Sequence, residues 1–139
     1  MIEKPVLDHI GIAVDSIDSG IAIYQSLGIK VEGVEEVVDQ KVRVAFLPLG
    51  DTRIELLEPT DETSPVARHL GRRGAGLHHI CLRVPNIRTA MAQLSEEGYR
   101  LLSEEPLRGA HDCLVCFVHP KSAGGVLIEL SESIASEES

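Results

Sequence analysis

An internal repeat constrains this 139-residue sequence more than any other feature. The segment Leu7–Val14, LDHIGIAV, returns as Leu77–Val84, LHHICLRV, so that His9 falls on His79 at an offset of 70 residues. Self-similarity at a long, constant spacing is the signature of a duplicated structural unit. The chain is therefore predicted to contain two copies of one unit.

A second pair of segments repeats near the end of each copy. The segment 53–57, RIELL, returns as 127–131, LIELS, at an offset of 74, so that Glu55 falls on Glu129. The second copy accordingly contains four extra residues. Each copy supplies one His near its start and one Glu near its end. Two His and two Glu form a ligand set that suits one divalent metal ion.

Hydrophobic alternation and turn residues predict the order strand, helix, strand, strand, strand in each copy, and hence an α+β fold of two tandem βαβββ modules. The helices are expected to follow the caps Ser16 and Asn86 and to run to about Leu27 and Glu97, with Gly28 and Gly98 as the next residues. The predicted strands are 6–14, 29–38, 42–49 and 52–57 in the first copy, and 77–84, 99–103, 113–118 and 126–130 in the second.

Chain length favours one domain, because each half alone would be only marginally stable and is expected to pack on the other. We expect that domain at residues 5–131, with module 1 at 5–58, a connector at 59–76 and module 2 at 77–131. In the connector, Ser64 and Pro65 predict the cap and first residue of a short helix. Residues 132–139 are expected to form a flexible acidic tail.

Charge and composition exclude several classes of function. The formal net charge of -9 argues against binding to nucleic acid or to a membrane surface through basic residues. The sequence has no apolar run of the ~18–20 residues that a membrane span needs, and no signal peptide is recognised at its start. Three Cys is an odd number for a disulfide framework. These observations predict a cytoplasmic protein with reduced thiols.

Strand alternation separates the candidate ligands from the core. Ile54 and Leu56 share one face of their strand and Glu55 points to the other, and Glu129 is placed in the same way. The same rule chooses between two adjacent histidines. His78 shares its face with the apolar residues, whereas His79 lies on the opposite face and matches His9. The predicted ligands are therefore His9, Glu55, His79 and Glu129.

Each polar group also has a simpler structural role that its residue type allows. A single His or Glu in a strand is usually a polar side chain that is hydrogen-bonded or faces solvent. For the four residues together, the alternative is a duplicated protein that has kept the sequence pattern but no longer binds metal. Cys113 and Cys116 form a Cys-x-x-Cys pair, but residues three apart in a strand point to opposite faces. Lys121, Arg72 and Arg73 are candidates for contacts to a phosphate, although exposed cations are more often only solvated.

The repeats resemble the vicinal oxygen chelate superfamily and, within it, the family of methylmalonyl-CoA epimerases. The similarity extends from about Leu7 to Ser131, and its most specific segment is FVHPKSAGGVLIEL at 117–130. The other matching segments are LDHIGIAV at 7–14, ELLEP at 55–59, SPVA at 64–67, GLHHI at 76–80 and LSEEP at 102–106. The resemblance implies a glyoxalase-like fold with curved, mostly antiparallel sheets.

The resemblance also implies an activity and a cofactor. The family interconverts (R)- and (S)-methylmalonyl-CoA through a metal-stabilised enolate, with Co²⁺ expected and Mn²⁺, Ni²⁺ or Zn²⁺ as alternatives. Its metal ligands fall on the four residues found from the repeats. Glu129 is also the candidate catalytic base, because it is a carboxylate that can face the substrate. The expected partner is an acyl-CoA substrate, and the expected assembly is a homodimer.

One departure from the family pattern affects the mechanism. Some members carry a catalytic Glu in the third strand of the first module, where this chain has Val44. A mechanism with two carboxylates is therefore not expected here. The alternative functions are a glyoxalase I-like lyase or isomerase that acts on a glutathione adduct, and a non-catalytic small-molecule binding protein of the same fold.

Overall fold

The computed structural model describes residues 4–134, which form two compact units. One unit is His9–His78, and the other combines the residues up to Asp8 with the chain from His79 onward. The described strands are β1 Val6–Ala13, β2 Gly33–Val37, β3 Val42–Leu49, β4 Thr52–Pro59, β5 Gly76–Arg83, β6 Leu107–Gly109, β7 Cys113–Val118 and β8 Ile128–Ser133. The described helices are α1 Ile17–Gly20, α2 Ala22–Ser26, α3 Pro65–Arg73 and α4 Ile87–Glu96.

Both units contain the same strand arrangement. In His9–His78 the strand order is β2-β3-β4-β1, and in the other unit it is β6-β7-β8-β5. The first and last strands of each repeat pair in parallel, β1 with β4 and β5 with β8. The other described pairs within each unit, β2 with β3, β3 with β4, β6 with β7 and β7 with β8, are antiparallel. The predicted α+β class and the predicted module order are therefore confirmed.

Each unit buries the strand face that lacks the candidate ligands. In His9–His78, Val14, Ala45 and Leu56 form a core with Ile17 at the start of α1. In the other unit, Val84, Cys116 and Leu130 pack against the buried face of α4, which includes Ile87, Ala90 and Met91. Alternating strands place every second residue in such a core, as the sequence pattern predicts.

The first helix differs from its prediction. A continuous helix was expected to about Leu27, but α1 ends at Gly20 and α2 begins at Ala22. A Cβ added to Gly20 would lie 3.1 Å from Cγ1 of Val14, so this position needs a very small side chain. Ala90 stands at the equivalent position in α4, which is continuous. Glycine permits the close approach of the helix to Val14, but it is a poor helix former, and the helix breaks at this residue.

The predicted strand at 99–103 is wrong. In this segment Leu101 forms an isolated bridge with Val118. The second strand of the second copy is instead β6, at Leu107–Gly109. The backbone N–H of Leu102 still donates to the carbonyl of Phe117, at 2.9 Å. Pro106, which lacks an N–H, and a turn in which Ser103 donates to the carbonyl of Glu105 separate that bond from β6. The extra residues of the second copy thus displace the strand.

Strand and helix ends differ elsewhere by a few residues. β2 begins at Gly33 rather than near residue 29, and α3 continues to Arg73, beyond the two turns expected in the connector. β8 continues to Ser133, so it includes the first two residues assigned to the acidic tail. The tail residues 135–139 lie outside the described residues. No helix in the described part of the chain is long and apolar enough to cross a membrane.

A glutamate at the end of each repeat caps the helix of its own unit. Glu58 accepts a hydrogen bond from the backbone N–H of Ile17, and Glu132 accepts one from Ile87, both at 2.8 Å. These N–H groups are the first in their helices and have no partner within the helix. A carboxylate there also interacts favourably with the helix dipole. Each cap stands three residues after a candidate ligand, in an ELLE or ELSE segment.

We expect Glu132→Ala to lower the free energy of unfolding by about 1–2 kcal/mol, because it removes a charged cap from a buried helix end. Chemical denaturation followed by circular dichroism measures the change. Glu96→Ala is the matched control, since Glu96 is exposed in the last turn of α4. Equal stability of the two variants would show that the capping bond contributes nothing.

Candidate metal centre

The first candidate pair joins His9 of β1 to Glu55 of β4. The parallel register sets Gly11 beside Glu55, which places His9, two residues earlier, on the same face. Nδ1 of His9 lies 3.2 Å from Oε2 of Glu55. Both residues are buried, at 5% and 4% exposure. Two polar side chains from distant parts of the repeat are thus held together away from solvent.

The second pair repeats this arrangement in the other unit. Cys81 lies beside Glu129 in the parallel register of β5 and β8, so His79 again shares the face of the carboxylate. Nε2 of His79 lies 2.9 Å from Oε1 of Glu129. These residues are 5% and 6% exposed. Within its own unit, each His–Glu pair predicted from the repeats is therefore brought into contact.

A phenylalanine lies beside each carboxylate. Phe46 of β3 is the antiparallel neighbour of Glu55, and Phe117 of β7 is the neighbour of Glu129. The ring of Phe117 meets that of His79 edge to face, with centroids 6.1 Å apart. An apolar wall of this kind lowers the local dielectric constant, which strengthens interactions between charges. The sequence pattern did not indicate a role for these two residues, although Phe46 precedes Glu55 in the chain much as Phe117 precedes Glu129.

An arginine that the sequence interpretation did not use lies on the first carboxylate. Nε and Nη2 of Arg53 approach Oε2 of Glu55 to 2.8 and 2.6 Å. The guanidinium also lies over the ring of Phe46, 5.7 Å from its centroid. Arg53 and Glu55 are two residues apart in β4, and side chains at that spacing share a strand face. That spacing was the available sequence signal.

The two adjacent histidines have different surroundings. The ring of His78 contacts that of His69, with centroids 4.9 Å apart, and His78 is only partly buried. Burial, together with the nearby charge of Arg73, lowers the pKa of His69. His79 is buried against a carboxylate and an aromatic ring. Only His79 of the two therefore lies where the repeat places a ligand.

The cysteines have local structural contacts. Sγ of Cys81 lies 3.4 Å from Oγ of Ser131, and both side chains are buried. Burial, and next the negative charge of Glu129, raises the pKa of Cys116 to about 12. Cys116 is therefore a protonated thiol at neutral pH, and thiolate is the form that binds zinc or reacts. Sγ of Cys113 instead lies 3.6 Å from the carbonyl oxygen of His111.

Several other residues lie outside these pairs. Nδ1 of His119 accepts a hydrogen bond from the backbone N–H of Lys121, which makes His119 the cap of a short 3-10 turn. Lys121, Arg72 and Arg73 are exposed. Val44 is buried, with 3% exposure, and its antiparallel neighbour in β2 is Glu35. An apolar side chain at this position cannot transfer a proton.

Each His–Glu pair offers donor atoms of the kinds that divalent metal ions bind. Each pair offers one imidazole nitrogen and one carboxylate oxygen from rigid, hydrogen-bonded strands. Nitrogen and oxygen donors suit borderline metals such as cobalt, manganese, nickel and zinc. The buried carboxylates also supply the negative charge that a cation requires.

Comparison with known proteins identifies the class. Residues 8–117 match the Glyoxalase/Bleomycin resistance protein/Dioxygenase superfamily, and the chain belongs to that superfamily. The human mitochondrial methylmalonyl-CoA epimerase is 42% identical over 91% of this chain and 73% of its own length. An ethylmalonyl-CoA/methylmalonyl-CoA epimerase of Cereibacter sphaeroides is 43% identical over 91% of this chain and 96% of its own length.

A solved structure extends the similarity to the fold. A methylmalonyl-CoA epimerase in complex with methylmalonyl-CoA and NH4+ superposes with a TM-score of 0.90 and is 36% identical. The match covers 94% of this chain and 96% of that one. The resemblance to epimerases of this superfamily that the sequence motifs indicate is therefore confirmed.

Proposed function

We infer that the protein is an isomerase that interconverts (R)- and (S)-methylmalonyl-CoA. The observation that carries this inference is the match, over nearly the whole chain, to an epimerase whose structure holds methylmalonyl-CoA. Epimerases are also the relatives at about 40% identity described above. This evidence favours epimerisation over the alternatives of a glutathione-adduct lyase and a non-catalytic binding protein.

The proposed metal ligands are His9, Glu55, His79 and Glu129, with Co²⁺ as the proposed ion and Mn²⁺, Ni²⁺ or Zn²⁺ as alternatives. The proposal is supported by the contact within each His–Glu pair and by the repetition of that pair in the two units. Both modules are proposed to act as one domain that shares a single ion. Four protein ligands would leave two positions of a six-coordinate ion for substrate oxygens.

The chemistry requires removal of the proton at C2, between a thioester and a carboxylate. A bound divalent ion would supply Lewis-acid stabilisation of the negative charge that develops on the thioester oxygen. Glu129 is the proposed base that takes the C2 proton on one face. The ring of Phe117, beside Glu129 in the sheet, helps to exclude water from that carboxylate. Return of the proton to the opposite face inverts the configuration.

The opposite face needs a proton donor other than Val44. Its buried isopropyl group cannot exchange a proton, so water or another side chain must act there. The proposed assembly is a homodimer, on the basis of the family resemblance. The proposed location is the cytoplasm, because the three Cys are interpreted as reduced thiols.

Removal of His79 should abolish stoichiometric metal binding. We expect purified His79→Ala to lose most of its bound metal, because the variant lacks one of only two nitrogen donors in the proposed set. Elemental analysis of dialysed protein measures occupancy. His78→Ala is the matched control and should retain metal, since its ring contacts His69 instead. Full occupancy in His79→Ala would reject the ligand assignment.

Exchange of the C2 proton tests the reaction itself. In deuterated water the metal-loaded protein should incorporate deuterium at C2 of methylmalonyl-CoA, as followed by mass spectrometry. Chelator-treated protein should exchange slowly, and added Co²⁺ should restore the rate, because the ion stabilises the developing charge. Absence of exchange in the metal-loaded protein would overturn the proposed function.

Glu129→Gln separates the role of base from the role of ligand. The amide keeps an oxygen that can bind metal but cannot accept the C2 proton. We expect much of the metal to remain and exchange to fall by ~10²–10⁴-fold, the usual contribution of a general base. Near-normal exchange with bound metal would exclude Glu129 as the base. Glu96→Gln controls for the substitution at an exposed site.

A further inference from the structure

Arg53 is a positively charged neighbour of the first His–Glu pair. Its guanidinium places two nitrogens on the same oxygen of Glu55, at 2.8 and 2.6 Å. The side chain is 21% exposed and that of Glu55 is 5% exposed, so solvent screens their interaction little. A guanidinium remains charged at all relevant pH values. Glu55 therefore lies permanently beside a fixed positive charge.

The second unit has no arginine at the equivalent position. Leu127 stands where the repeat places Arg53, and it cannot supply a charge. The register around the carboxylate is nevertheless the same, with Phe117 and Cys81 beside Glu129 as Phe46 and Gly11 lie beside Glu55. The register around the carboxylate therefore forms in one copy without an arginine, which points to a role for Arg53 that depends on its charge.

Charge balance gives that role. Two neutral imidazoles and two carboxylates would cancel the charge of a divalent ion completely. A neutral site would polarise an anionic substrate weakly, since Lewis-acid stabilisation depends on positive charge. One guanidinium on one carboxylate restores a single net positive charge. The charge comes through Glu55 and leaves Glu129 available as the proposed base.

We propose that Arg53 is a positioning residue that neutralises Glu55, so that the first His–Glu pair binds metal as an effectively uncharged ligand pair and the bound ion remains positive. The proposal rests on the proposed function, because it concerns how strongly the ion activates an acyl-CoA substrate. It also makes a claim about metal affinity alone. Arg53 competes with the metal for the Glu55 carboxylate, so it weakens metal binding while it increases the polarising power of the ion.

Two substitutions form a cycle that tests this proposal. Arg53→Leu, which copies Leu127, should bind Co²⁺ roughly tenfold more tightly, the size of effect that one nearby charge has on proton binding. Its kcat should fall about 10–100-fold with little change in KM, within the range seen for residues that contact metal ligands. Glu55→Gln alone leaves excess positive charge and should bind Co²⁺ more weakly than the wild type.

The double variant distinguishes charge from structure. Arg53→Leu with Glu55→Gln restores the net charge of the wild-type site, so both Co²⁺ affinity and kcat should return to near the wild-type values. Affinity is measured by competition with a chromophoric chelator and kcat by C2 deuterium exchange. A merely structural arginine would give weaker Co²⁺ binding in Arg53→Leu and no recovery in the double variant, and either result would overturn the proposal.

Arg43→Leu is the matched control. Arg43 contacts Oε2 of Glu58 at 3.1 Å in the same unit, but its side chain is 45% exposed. Loss of that pair should leave Co²⁺ affinity and kcat unchanged, and the unfolding midpoints of all variants show whether they fold. If the metal-loaded wild type fails to exchange the C2 proton, the proposed function fails. The Co²⁺ affinities of the cycle still decide whether Arg53 neutralises Glu55.

Discussion

The parallel pairing of the first and last strands of each repeat is the constraint on which the candidate site depends. The registers of Gly11 with Glu55 and of Cys81 with Glu129 bring together a His and a Glu that are about fifty residues apart in sequence. A shift of one residue in either pair would turn the carboxylate toward the core. The capping glutamates stabilise the same geometry, because each joins the end of the last strand to the start of its helix.

Strand alternation lets the same strands serve a core and a site. Leu56 is fully buried against the helix side while Glu55, its neighbour, is buried on the other face. Burial of a carboxylate or an imidazole is unfavourable unless a partner compensates for lost hydration. In each pair of candidate ligands, an imidazole nitrogen accordingly lies within 3.2 Å of a carboxylate oxygen. Each pair therefore compensates for the burial of its two polar side chains, in addition to being a candidate metal site.

The sequence predicts features that depend on periodicity and caps, and misses those that depend on tertiary context. β3 lies at Val42–Leu49, as alternation predicts, and Ser64 caps α3 before Pro65. The wrong strand at 99–103 reflects an insertion whose effect on pairing no local pattern reveals. The break after Gly20 depends on the proximity of Val14. Arg53 was missed because a charged residue near a strand end is ordinarily solvated, and only the structure shows its contact with Glu55.

Duplication explains why the candidate ligands and the caps repeat, although Arg53 does not. Glu55 and Glu58 have counterparts in Glu129 and Glu132, at an offset of 74 residues, whereas Leu127 stands where the repeat places Arg53. Such divergence suits a reaction that inverts one carbon. The base that removes a proton from one face and the donor that returns it to the other must differ in charge or protonation at any instant. Two carboxylates in identical surroundings have no built-in difference that decides which of them holds a proton. Arg53, which contacts Glu55 and has no counterpart beside Glu129, makes the two candidate ligands chemically unequal.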